Sequence, residues 1–149
     1  MAKSFALDVG EFVRKAKAAP EVVVRKVATD LLTSVVLKTP VGNPSLWKGK
    51  PPAGYVGGRA RASWGVGLNR PADTSVTLVD KQGRRTIARG QAAIGQWKSD
   101  DSIWITSRLP YINRLEYEGH SRQAPAGMVR ISVVEFQSFI NAAARSLPK

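Results

Sequence analysis

An α+β fold is the class this sequence predicts, with a small antiparallel or mixed β-sheet packed by two N-terminal helices and a long C-terminal helix. Three observations lead there. Apolar residues recur every three or four positions near both ends of the chain, while two-residue alternation is confined to the middle. A long Pro/Gly-rich loop separates the N-terminal helices from the rest.

Phe5, Val9, Phe12, Val13 and Ala16 form the first helical set, and Val24, Val27, Ala28, Leu31 and Val35 form the second, so residues 2–38 are expected to be helical. Pro20 suits the first turn of the second helix, where its missing amide would have no partner anyway, and Pro40 stops that helix. Pro40, Pro44, Pro51 and Pro52 then interleave with five glycines, which predicts an extended loop over 40–58. A loop of that length inside a compact domain usually serves a function or becomes ordered on contact.

Trp64, Val66 and Leu68 alternate with smaller residues, and after a turn at Asn69, Arg70 and Pro71 the run TSVTLVD repeats the two-residue period, which predicts a hairpin. Ile87, Gln91, Ile94 and Trp97 suggest a third helix, and SIWIT reads as a strand with Ile103 and Ile105 on one side. At the C-terminus Val129, Val133, Phe136, Ile140, Ala143 and Leu147 make one helical stripe, ended by Pro148, that is expected to cover the sheet. The β-branched run MVRISVV leaves open a strand start there instead. One domain over residues 1–149 is expected, with 59–149 supplying the sheet and the C-terminal helix; no internal repeat is visible.

The chain has 149 residues, 43% of them hydrophobic and 23% charged, a composition that supports a buried core and argues against general disorder. Lys and Arg number 23 against 11 Asp and Glu, so the formal charge of +12 favours polyanions or acidic protein partners. Absent cysteine excludes a disulfide framework and a thiolate metal site. Asp8, Glu11, Arg14 and Lys15 interrupt the early apolar runs, so no signal-peptide core is expected, and no stretch approaches the roughly 20 apolar residues that cross a bilayer. A soluble protein made in the cytoplasm and needing no membrane is the expectation.

Catalysis needs a base or nucleophile whose acidity can be tuned, and the chain offers a single histidine, His120, with no cysteine. On a strand, Glu116, Glu118 and His120 would fall on one side and could hold a divalent metal; the competing reading is a solvated turn. Asp100 and Asp101 read as a polar turn rather than half of a carboxylate pair. Gly54, Gly57 and Gly58 lack the Lys-Ser/Thr pair of a phosphate loop and read as backbone freedom. No catalytic, cofactor or metal residues are assigned, and no enzymatic activity is expected.

Charge distribution is more informative. No acidic residue occurs over 31–72, where Lys38, Lys48, Lys50, Arg59, Arg61 and Arg70 fall, and a second acid-free run over 81–99 carries Arg84, Arg85, Arg89 and Lys98. Trp47, Tyr55 and Trp64 lie within the first run, and aromatic groups among basic ones can stack on bases and contact phosphates. The plainer reading places Trp64 in the core and Trp47 against a neighbouring chain. Trp47, Lys48, Lys50, Tyr55, Arg59 and Arg61 are the expected subunit- or partner-contact residues. No helix-turn-helix, zinc-finger or aromatic RNA-binding motif accompanies them.

Three stretches also carry a resemblance. They are Thr39-Pro40-Val41-Gly42 followed by Gly58-Arg59-Ala60-Arg61-Ala62-Ser63-Trp64; Ile105-Thr106 leading to Pro110-Tyr111 and Leu115-Glu116-Tyr117; and Gln123 to Arg130, QAPAGMVR, running into the C-terminal helix. In this order the chain, from about Val24 onward, resembles the head-to-tail joining or tail completion proteins of long-tailed double-stranded DNA phages, related to the lambda-type tail completion protein. It departs from them by about fifteen inserted residues before Gly58 and by Glu118 between Tyr117 and Gly119.

The resemblance implies a non-enzymatic virion structural protein of the neck, made in the host cytoplasm, that forms a ring, commonly a hexamer. Its partners would be tail tube or tail terminator proteins on one side and head connector or adaptor proteins on the other, with non-specific DNA contact in the lumen and no cofactor. Tail terminator and head-tail adaptor rings are the neighbouring alternatives. A sequence-independent nucleic-acid-binding protein is the alternative of another class.

Overall fold

A computed structural model describes residues 20–146, so the helix expected over the first nineteen residues and the end of the C-terminal stripe at Leu147 and Pro148 lie outside the described residues. Within them, helices accompany a two-stranded antiparallel sheet, an α+β arrangement. None of the described helices is long and apolar enough to cross a membrane.

Helix α1, Pro20–Lys38, is the centre of the fold. Its C-terminal half buries Leu32, Val35 and Val36 in the main core with Trp64, Ile94, Leu109, Leu115 and Met128. Its N-terminal half buries Val23 and Val27 against Phe136, Ile140 and Ala143. Removing each large aliphatic or aromatic side chain from water contributes about 1.5–3 kcal/mol, so one helix joins two clusters that neither end of the chain could close alone. Thr39 ends the helix: its amide donates to the carbonyls of Val35 and Val36, its hydroxyl donates to Val35 O at 2.7 Å, and Pro40 follows.

Strand β1, Trp64–Leu68, pairs antiparallel with β2, Ile103–Ser107, in a register that sets Trp64 opposite Ser107 and Leu68 opposite Ile103. This corrects the expected hairpin between β1 and the run TSVTLVD, which forms no strand. Gly65 and Gly67 are the cause. A Cβ on Gly65 would meet the Ala72 methyl group at 2.8 Å, and one on Gly67 would meet the Ala72 amide at 2.8 Å, so residues 70–74 lie across the face that the two glycines leave bare. Ala72 N donates to Thr106 Oγ1 at 3.3 Å, fastening this strap to the sheet. The RARA stretch ahead of β1 forms the short helix α2, Arg59–Ala62.

Helix α3, Arg84–Gly95, occupies the place expected for the third helix. Asp80 starts it by accepting from Gly83 N, Thr86 N and Thr86 Oγ1, each at 2.9 Å. Gly90 allows close approach: a Cβ there would come within 3.1 Å of a Val66 methyl group. Arg89 ties α3 to β1 by donating to Ala62 O and Trp64 O at 3.0 Å.

Helix α4, Ile112–Tyr117, carries Glu116, and the C-terminal stripe then forms two helices, α5, Val129–Val134, and α6, Phe136–Arg145. The run MVRISVV enters a helix, so the alternative of a strand start there is not realised, and one expectation is corrected: the single stripe is divided into two helices at Glu135, whose carboxylate accepts from Lys38 Nζ at 2.9 Å. The stripe's target differs as well. Phe136 and Ile140 pack on Val23 and Val27 of α1 rather than on the sheet, and Val133 is 41% exposed.

Candidate interaction surface

The three stretches quoted for the resemblance meet in space as joints of the fold. Trp64 Nε1 donates to the buried Thr39 Oγ1 at 2.7 Å. Arg61 reaches the same turn, donating from Nε and Nη2 to Thr39 O at 3.1 and 2.9 Å, from Nη2 to Leu37 O, and from Nη1 to Lys81 O at 2.7 Å. Carbonyls at a helix C-terminus carry partial negative charge, so a guanidinium is well matched there. Arg61 therefore spends its donors inside the chain, and burial lowers its pKa while the nearby Asp80 charge acts in the opposite direction.

Glu116 forms the second joint. It is 5% exposed, and its carboxylate accepts from Met128 N at 2.7 Å and from Val129 N and Arg130 N at 2.9 Å, closing the start of α5. Arg130 adds its Nε to the carboxylate and another guanidinium nitrogen to Glu116 O. Burial alone would raise this carboxyl's pKa; the Met128, Arg130 and Val129 amides and the Arg130 side chain outweigh it and hold the value below the ordinary one. Gly127, at φ +89°, permits the approach, since a Cβ there would stand 2.6 Å from Glu116 O. Glu118 and His120 are exposed beyond the end of α4, so the strand-like alternation that would collect all three does not form. No cluster of three metal-ligating side chains occurs among the described residues.

Between these joints residues 40–58 contain one 3-10 turn, Pro44–Leu46, and otherwise no regular element. Asn43 caps that turn, its Oδ1 accepting from Ser45 N at 3.1 Å. Both ends of the segment are stitched to the body. Gln123 brackets Val41, accepting its amide at 3.1 Å and donating to its carbonyl at 2.9 Å. Tyr55 lies over Gly42, where a Cβ would sit 3.0 Å from the ring carbon that bears the hydroxyl. Gly58, at φ +106°, accepts from Asp80 N at 3.2 Å.

The tip beyond those stitches is exposed. Trp47 packs on Tyr55 with ring centroids 4.7 Å apart and planes tilted by 56°, and Leu46 (77% exposed) and Val56 (48%) flank the pair. Lys48 and Lys50 follow Trp47 on the surface with no ion-pair partner among the described residues. Arg59 is exposed and donates to Val76 O at 3.0 Å. Of the six expected contact residues, five thus border one surface, while Arg61 is turned into the fold.

Tyr111 and Lys81 join this surface, and sequence reading did not find them. Burial raises the Tyr111 pKa, with Arg59 lowering it and Tyr55 raising it, which places all three side chains in one neighbourhood. Lys81, Tyr55 and Val56 line a hollow of about 370 Å³ with Val41 to Pro44. No protein-family model, curated protein or solved structure matches the chain.

Proposed function

We propose that the chain is a non-enzymatic structural protein of a phage neck, acting in tail completion or head-to-tail joining as one subunit of a ring between the tail tube end and the head connector. The observation that carries the reading is a loop whose base is tied to the body through Val41 and Gly42 while Leu46, Trp47, Lys48 and Lys50 are exposed. Leu46, Trp47 and Val56 expose enough apolar surface to anchor in a neighbour's pocket, and Lys48 and Lys50 beside them favour an acidic rim. Closed rings need such a patch on every subunit and a complementary one elsewhere on the same chain or on the next protein in the stack.

The resemblance of the Thr39–Trp64 and Glu116–Arg130 joints to the neck family adds support, since these residues set the body on which the tip is mounted. A tail terminator or head-tail adaptor ring would use the same surface. Native mass measurement of the purified chain alone, and with tail tube or connector proteins, tests the reading. A ring that forms with wild type and is lost on Trp47→Ala is the expected result; a monomer that binds none of these partners would overturn it.

A further inference from the structure

We propose that the outer edge of β2 pairs antiparallel with the same edge of a second copy of this chain, joining the two sheets about a twofold axis at Ile105. The register of the sheet fixes which backbone groups are available. Asn69 N donates to Ser102 O at 2.9 Å, one step beyond the pair Leu68 and Ile103. Hydrogen-bonded pairs alternate along an antiparallel ladder, so Trp104 and Thr106 turn their amides and carbonyls toward β1, while Ile103, Ile105 and Ser107 turn theirs outward. Among the described residues no hydrogen bond reaches those outward backbone groups. Edge strands are commonly blunted by a lysine, a proline, a bulge or an inward charge, and IWITS, in regular register with β1, has none of these. The outer edge of β1 is engaged at Trp64, whose carbonyl accepts from Arg89 of α3 at 3.0 Å. β2 therefore offers the open edge.

Pairing, side chains and charge each fit a second copy as the occupant. Antiparallel pairing centred on Ile105 sets Ile105 of one copy against Ile105 of the other, and Ile103 against Ser107, so each outward amide meets an outward carbonyl and no residue is left over. Trp104, 43% exposed, then stands opposite Thr106 of the other copy, an aromatic and β-branched pair of the kind that stabilises sheets. The ends are complementary as well. Asp100 and Asp101 precede the strand and Arg108 follows it, so antiparallel copies bring acid to base at both ends, whereas parallel copies would bring like to like. Arg108 also meets Asp73, but both side chains are largely exposed and such a pair holds weakly. The contact is isologous: it closes on itself, covers the open edge and cannot propagate around a ring. It uses no residue of the exposed loop and does not rest on the neck reading.

The test is sedimentation velocity over a dilution series of the full chain carrying Trp47→Ala, which removes the loop's contact, together with amide exchange read by NMR. A dimer that dissociates on dilution is expected. Raising the concentration should slow exchange at Ile103, Ile105 and Ser107 and leave Trp104 and Thr106, already bonded to β1, unchanged. Arg108→Glu should weaken the dimer by about tenfold, because it alters both symmetry-related ends, and adding Asp100→Lys should restore it. The exchange pattern needs no substitution on the strand, so it decides the matter even where a charge variant fails to fold. A chain that stays monomeric throughout, or a dimer whose concentration-dependent protection falls outside β2, would overturn the proposal. So would protection of β2 that is present in the wild-type chain and lost in Trp47→Ala, which would assign the edge to a neighbour's loop. A ring without protection at Ile105 removes this proposal and leaves the neck reading intact; a β2 dimer that never forms rings does the reverse.

Discussion

The carboxylate of Glu116 accepts the Met128 amide at 2.7 Å, reaching across twelve residues to close the first turn of a helix to which it does not belong. A side chain that looks in the sequence like one of several scattered acids is in fact the clasp between α4 and α5. Replacing it leaves three amides near the core without their acceptor, and hydrogen bonds to a charged group are each worth about 1.5–3 kcal/mol. Glu116→Ala should therefore destabilise the chain by at least about 2 kcal/mol in urea unfolding. Alanine at the exposed Glu118 or His120 should change stability by less than about 0.5 kcal/mol. Equal, negligible effects at all three positions would remove the clasp.

Acid should open the same clasp. The folded pKa of Glu116 lies below its ordinary value of 4.5, so its contribution is fully present above that pH and is lost as pH falls through the folded value. Asp80, where burial raises the pKa but bonds from Thr86, Gly83 and Arg85 outweigh it, acts in the same direction. Chemical unfolding measured at a series of pH values should show stability falling below about pH 4.5, with a shallower fall in Glu116→Gln. An identical acid profile in that variant would contradict the assignment.

Phe136 is 8% exposed and packs where α6 meets α1, so Phe136→Ala should cost about 3–5 kcal/mol and lower the melting temperature by about 10 °C. Val133, one helical turn earlier on the predicted stripe, is half-exposed, and Val133→Ala should be nearly silent. Calorimetry on the two variants separates a helix packed on α1 from one packed on the sheet.

These contrasts show where the sequence is legible. Apolar spacing located α1 and α3 because a helix's buried face is written in residues three and four apart, but the stripe read as Val24, Val27, Ala28, Leu31 and Val35 is offset from the face that is buried: Val23, Leu32 and Val36 are in the core while Val24, Ala28 and Leu31 are only partly covered. The same spacing picked Phe136 and Ile140 as buried, but periodicity says which face is covered and not by what, so α1 was missed as their partner. Alternation in TSVTLVD suggested a strand because the choice of sheet neighbour is made at long range. The one local sign was the pair Gly65 and Gly67, which leave a bare face for the strap. Trp47 and Tyr55 could be singled out from composition, whereas Tyr111, Lys81 and Gln123 reach the same surface through contacts that no local pattern records.

Trimming the tip separates its role from that of its base. Replacing residues 46–53 with a short Gly-Ser link keeps the Gln123 bracket on Val41 and the Tyr55 contact with Gly42, so the melting temperature should change by no more than a few degrees. Ring formation with neighbouring proteins should be lost. An unfolded product would show that the tip belongs to the core, contrary to its exposure at Leu46 and Trp47.

The central claim, that this chain is a ring subunit at a phage neck, is tested most directly by electron cryomicroscopy of purified particles carrying it. The account predicts a ring of copies between the tail tube end and the head connector, with Leu46, Trp47 and Tyr55 of each copy buried against a neighbour. Particles complete in head, neck and tail that contain no copy of the chain at that junction would contradict it.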